Sequence, residues 1–129
     1  MRFRGTVVHG DKRGRELGFP TANIAVAASV TLPGDGVYAC WVSFCAGTAL
    51  HAATVSIGDN PTFDDVTERR VEAFVHDFDA NLYGCDIEVT VHARLRGMVR
   101  CESIEELITK TAADVAASRI ALTLPPQRS

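Results

Sequence analysis

Asp86-Ile87-Glu88-Val89-Thr90-Val91-His92-Ala93-Arg94-Leu95-Arg96 is the stretch whose reading decides the fold. Ile87, Val89, Val91, Ala93 and Leu95 alternate with Glu88, Thr90, His92, Arg94 and Arg96, so one face of a strand meets a core and the other meets water or a site. Such one-sided alternation belongs to antiparallel sheets with tight connections. Immediately upstream, Asn81-Leu82-Tyr83-Gly84 reads as the turn into this strand from another, Val71 to Phe78. Further back, Val37 to Cys45 is apolar on both faces, as a central strand would be, and Ala46-Gly47-Thr48 connects it to a strand from Leu50 to Ile57. Gly58-Asp59-Asn60-Pro61 is expected to break that strand, leaving the polar stretch to Arg70 as a surface loop. Phe3 to His9 reads as a first strand, Asn23 to Asp35 is mixed, and Pro33-Gly34-Asp35-Gly36 is a turn.

Downstream of the deciding strand the period changes. Ser103 followed by Glu106 is a capping-box pattern, and Ile104, Leu107, Ile108, Thr111, Val115 and Leu122 recur on one helical face. Glu105 and Glu106 at the start and Arg119 near the end complement the helix dipole, and the helix is expected to stop before Pro125-Pro126. Short strands, tight turns and one terminal helix imply an antiparallel barrel or sandwich closed on one side by the helix. Repeating βα units are absent, which argues against a parallel sheet.

Composition narrows the function classes. The 129 residues are 47% hydrophobic and 22% charged, enough for one domain with a real core. Lys and Arg number 13 against 16 acids, a net charge of −3, so nothing attracts the chain in general to nucleic acid or to an anionic membrane. The longest apolar stretch, around Val37 to Cys45, is too short to span a bilayer, and the N-terminus lacks signal-peptide features, so a cytoplasmic protein is expected. Cys40, Cys45, Cys85 and Cys101 include no C-x-x-C pair and no histidine at ligand spacing, which argues against zinc and for reduced thiols.

Two places carry candidate chemistry. Gly10-Asp-Lys12-Arg-Gly14-Arg-Glu-Leu-Gly18-Phe-Pro20-Thr21-Ala-Asn23 offers backbone N–H groups that can approach an anion, with Lys12 and Arg13 beside them. Pro20 stiffens the entry, and Thr21 and Asn23, two apart, share a face of extended backbone, so both oxygens can reach one hard cation. The plainer alternative is a surface turn with Asx or Ser/Thr bonding. Gly5 to Lys12 nearly spells a P-loop but carries Asp11 where Lys is required, and G-x-G-x-x-G is absent. Glu72 lies in an apolar strand on the face of Phe74, His76 and Phe78, where desolvation would suit a general base; the alternative is a rim residue with its head in water. His9, His51, His76 and His92 form no cluster and read as half-exposed strand residues, and Asp77 and Asp79 as a strand end.

Taken together the segments resemble the riboflavin kinase family. The similar motifs are Gly5-x-Val-Val-x-Gly10, Gly14-Arg15-x-Leu17-Gly18-Phe19-Pro20-Thr21-Ala22-Asn23 and Gly36-Val37-Tyr38, then Ser56-Ile57-Gly58-x-Asn60-Pro61-Thr62-Phe63 and Val71-Glu72. Asp77-Phe78-Asp79-x-x-Leu82-Tyr83-Gly84, Leu95-Arg96 and Ser103-x-Glu105-Glu106-Leu107 follow in order, so the match runs from about residue 3 to 122. The resemblance implies a six-stranded antiparallel Greek-key barrel over about 3–97 with a C-terminal helix over about 103–122, a single domain in residues 1–129. It implies transfer of the γ-phosphoryl group of ATP to the ribityl 5′-hydroxyl of riboflavin, giving FMN and ADP. A monomer is expected, and the charge balance argues against nucleic-acid and membrane partners.

Carried over residue by residue, the resemblance gives Thr21 and Asn23 to Mg²⁺ and nucleotide phosphates. It wraps Gly10, Lys12, Gly14, Gly18 and Pro20 around the nucleotide, makes Glu72 the base and sets Arg96 on the flavin side with the helix. Phe74 stands where relatives often carry His, Gly97 where Pro is common and Cys101 where Phe is common; the last two bear on flavin binding. A nucleotidyltransferase domain ahead of the module, as in many bacterial proteins, is lacking, so FAD synthesis is not expected. The competing classes are a non-catalytic flavin- or nucleotide-binding regulatory module and a barrel for single-stranded nucleic acid. The second would need a basic groove with stacking aromatics.

Overall fold

Along each strand of the computed structural model one set of side chains points inward and the next outward. The structure describes residues 1–8, 22–27, 29–45, 47, 49–61, 67–76, 82–97 and 103–123. The strands are β1 (Arg2–Val8), β2 (Ala22–Ala25), β3 (Gly36–Phe44), β4 (His51–Pro61), β5 (Thr67–Val75) and β6 (Asp86–Arg96). They close into a barrel in the order β1-β2-β5-β4-β3-β6, and every pair is antiparallel. Phe3 and Val7, Ile24, Tyr38 and Val42, Val55 and Ile57, Val71 and Ala73, and Ile87 and Val89 fill the interior. Each of the six strands has a ladder partner on both sides, which is how a small all-β domain limits edge-to-edge association.

Helix α1 (Ile104–Ala121) lies on the outside, against β3, β4 and β6. Its N-cap is Ser103, whose hydroxyl accepts from the Glu106 N–H at 3.1 Å, and Lys110 pairs with Glu106 at 3.4 Å one turn later. At the other end the Leu122 N–H donates to the Ser118 carbonyl. The covered face differs from the apolar stripe read in the sequence: Asp114 and Ser118 are buried beside Val115 and Leu122. Both polar groups have partners on the barrel. No helix is long and apolar enough to cross a membrane among the described residues.

Three features depart from the sequence reading. β4 does not break at Gly58 but continues to Pro61, and Thr67 to Arg70 belong to β5, not to a loop; the added rungs run from Gly58↔Arg70 to Pro61↔Thr67. A hairpin ladder needs only backbone partners there, so no hydrophobic pattern marks it. β2 is a four-residue strand hidden in the mixed stretch, making three rungs with β1 and three with β5. β6 is not regular. Its partner β3 steps from Val37↔Arg96 to Tyr38↔Arg94, and from Ala39↔Ala93 to Cys40↔Val91, passing over Leu95 and His92. Ala93 is thereby set opposite Ala39, a residue buried outside the inner cluster, although strict alternation predicts it on the face of Ile87 and Val89.

Candidate functional site

β5 sorts its side chains cleanly. Val71, Ala73 and Val75 enter the core, while Glu72 and Phe74 stay half-buried on the outer face. Register then brings residues distant in sequence together. Val8 lies opposite Asn23, Asn23 opposite Glu72, Glu72 opposite Ser56, Ser56 opposite Val37, and Val37 opposite Arg96. This single belt crosses all six strands. Directly opposite residues share a face of the sheet, with Cα atoms about 4.5–5.5 Å apart. Asn23 and Glu72 are therefore neighbours, and the half-buried Ser56 flanks Glu72 on its other side.

Arg96 closes the belt at the seam with α1. Its Nε donates to Asp114 Oδ1 and its Nη2 to Asp114 Oδ2, each at 2.7 Å, and Nη1 donates to the Gly97 carbonyl at 3.0 Å. The bidentate geometry fixes the guanidinium plane and ties β6 to the helix. From Glu72 to Arg96 there are three strand spacings of about 4.7–4.9 Å, so about 14–15 Å of outer surface separates their backbones.

Beside this belt sits a buried polar link. Thr54 Oγ1 donates to Ser118 Oγ at 2.8 Å and contacts His76 Nε2 at 2.7 Å. A hydroxyl has one hydrogen, so His76 Nε2 is the donor to Thr54. His76, 6% exposed, is thus no half-exposed strand residue as its sequence context suggests; its ring lies 5.6 Å from that of Phe74. Cys40 is wholly buried, and desolvation pushes its thiol up to about 12.

Of the candidates from the sequence, Glu72, Asn23 and Arg96 are brought onto one belt. Gly10, Lys12, Gly14, Gly18, Pro20 and Thr21 lie outside the described residues, as do His9, Asp77, Phe78, Asp79 and Cys101. Sequence reasoning missed Ser56, Thr54, Ser118 and Asp114. The one available signal was that Asp114 and Ser118 are four apart, on the face of α1 that also carries Val115. Among the described residues no three His, Cys, Asp or Glu converge as a metal-binding group.

Known proteins align with this arrangement. The family model for flavokinase (riboflavin kinase) matches residues 1–122. A bifunctional riboflavin kinase/FMN adenylyltransferase of Listeria monocytogenes is 40% identical over 111 residues, covering 86% of this chain but only 35% of the relative. The chain thus spans about a third of the length of such bifunctional relatives. The riboflavin kinase of Mus musculus is 35% identical over 126 residues, covering 95% of this chain and 81% of the relative. The crystal structure of riboflavin kinase from Trypanosoma brucei superposes with a TM-score of 0.69 at 27% identity, covering 96% of this chain and 80% of that one. With the closed barrel, the outer helix and the match over nearly the whole chain, this protein belongs to the riboflavin kinase family.

Proposed function

We propose that the chain transfers the γ-phosphoryl group of ATP to the ribityl 5′-hydroxyl of riboflavin, giving FMN and ADP. The observation that carries this reading is the register Asn23↔Glu72 in a chain of this family. It sets an amide oxygen suited to a phosphate-bound cation beside a carboxylate suited to a proton. In the reaction the 5′-oxygen forms a bond to the γ-phosphorus, the bond from that phosphorus to the β,γ-bridging oxygen breaks, and ADP leaves. Glu72 accepts the hydroxyl proton as the new bond forms. Phe74, two residues along the same face, limits water beside the carboxylate.

Gly10, Lys12, Gly14, Gly18 and Pro20 would contact the nucleotide, and Thr21 and Asn23 would hold Mg²⁺. Neutral oxygen donors suit that ion, which keeps most of its shell for phosphate oxygens and water. When bound, Mg²⁺ neutralises the charge that builds on the phosphates. Riboflavin lies along the belt, its ribityl end at Glu72 and its ring system toward Arg96 and α1; three strand spacings suit a tricyclic ring bearing a five-carbon chain. Held by Asp114 and Gly97, Arg96 serves the flavin end by fixing the strand–helix seam. Barrel and helix act as one kinase unit.

The test is to incubate the protein with riboflavin and Mg-ATP and to resolve FMN from riboflavin by chromatography. Glu72→Gln is expected to lower turnover by about two orders of magnitude or more with ligand binding retained. Near-normal turnover in that variant removes Glu72 from the base role. Riboflavin binding without any FMN from the unaltered protein makes the chain a non-catalytic binding module instead.

A further inference from the structure

We propose that Cys45 and Cys85 are an oxidative modification site, a thiol pair that a peroxide converts to an intramolecular disulfide between the end of β3 and the start of β6. The last rung between these strands is Phe44↔Ile87, and the Cys45 N–H then donates to the Asp86 carbonyl at 2.8 Å. Cys85 is the next residue along β6's approach. Its own backbone is held by Cys85 N–H to Leu82 O and Val7 N–H to Cys85 O, both 2.9 Å. Cys45 has φ 51°, an uncommon left-handed conformation for a residue with a side chain, and it turns the chain at the strand end. The Cys45 thiol is near enough to push that of Cys85 up. Register sets Cys45 opposite Asp86, so Cys85 stands one residue off on the diagonal; a strand spacing of about 4.8 Å and a rise of about 3.4 Å per residue put their Cα atoms about 6 Å apart, within the about 4.4–6.8 Å that a disulfide spans.

Accessibility points the same way. Cys45 is exposed and Cys85 half-buried, so an oxidant in solution reaches the first while the second waits beside it. Cys40 has no such access, being wholly buried with a thiol that resists ionisation. In the step itself the Cys45 thiolate attacks a peroxide oxygen, the O–O bond breaks, and sulfenic acid and water form. The Cys85 sulfur then attacks that sulfur, loses its proton and expels a second water. Two thiols and one hydrogen peroxide thus give one disulfide and two waters; sulfur is oxidised and the peroxide oxygens are reduced.

The experiment uses the full chain, reduced and desalted, exposed to hydrogen peroxide, alkylated and mapped by mass spectrometry. The expected result is a monomer lighter by about 2 Da, restored by reductant. One peptide pair should link Cys45 to Cys85, at least about tenfold above any other pairing, because folding alone brings these two together. In urea the preference should pass to Cys40–Cys45, the short loop that an unfolded chain closes most readily. A native product dominated by another pairing, by a disulfide between two chains, or by sulfinic acid at Cys45 with Cys85 still alkylated overturns the proposal. So does a Cys45–Cys85 preference that survives unfolding.

Discussion

Replacing Asp114 by Asn removes one charge from the seam between barrel and helix and leaves the shape almost unchanged, so its effect isolates the Arg96 pair. Both bonds of that pair are 2.7 Å long, and the Asp114 side chain is only 12% exposed against 30% for Arg96. Exposed ion pairs contribute less than about 1 kcal/mol, whereas leaving a buried charge uncompensated costs about 3–5 kcal/mol. With one partner sheltered and the other a third in water, the loss should fall between these limits, at about 2–3 kcal/mol. An unfolding entropy of roughly 2.1 cal/mol/K per residue gives about 0.27 kcal/mol/K for 129 residues. The Tm should therefore fall by about 7–11 °C in a thermal melt followed by circular dichroism. Arg96→Met should cost a similar amount, and the double variant should lose less than the sum by about 2 kcal/mol. A fall under about 3 °C, or strict additivity, refutes the view that this pair anchors the helix.

Gly5 has no space for a side chain: a Cβ there would stand 2.5 Å from Ile24 Cγ2 and 2.6 Å from the Ala25 carbonyl oxygen. Gly5→Ala must push β1 from β2, and urea denaturation should register a loss of about 2–3 kcal/mol; an unchanged midpoint would disprove the close approach. Thr54→Val strips the hydroxyl that joins His76 to Ser118, and should cost about 1–3 kcal/mol by the same assay, with Thr54→Ser largely restoring it. Equal losses in the two variants would point to packing rather than to the hydroxyl. Cys40 keeps its proton in the folded state up to about pH 12 but gives it up near 9.0 when unfolded. Stability is thus fully present below pH 9.0 and declines as pH rises toward 12, by up to about 1.4 kcal/mol per unit relative to Cys40→Ala. Parallel pH profiles for the two proteins would count against the buried thiol.

What the sequence disclosed depended on whether the signal was local. The alternation of Ile87 and Val89 with Glu88 and Thr90 is a property of neighbouring residues, and so is the Ser103 cap. Both were legible. The bulges at His92 and Leu95 answer to the curvature of a closed barrel, which is set by five other strands. The Gly58–Pro61 extension carries turn-forming residues inside a ladder, where local chemistry and tertiary pairing disagree and pairing wins. At the candidate site Glu72 stood out as a carboxylate within an apolar strand, and Asn23 through its spacing from Thr21. Their adjacency was invisible, since it rests on the registers of β2 and β5 rather than on the distance along the chain. The same holds for Asp114 and Ser118, whose burial makes sense only once Arg96 and Thr54 face them.

Closure of the barrel also sets the order in which it can be assembled. β1 is made before the other five strands of the barrel, yet one of its two partners is β6; the Arg4–Glu88 pair spans 84 positions. Until that partner exists, one side of β1 must stay open to water or to any passing strand. Bringing such distant ends together incurs its entropy early and regains it late, the situation in which folding slows. The barrel is completed only after Asp86 to Arg96 has been made, so it stays open while the first five strands are synthesised. Mutations in the β1–β6 seam should therefore be felt first as aggregation during production, ahead of any deficit in the finished protein.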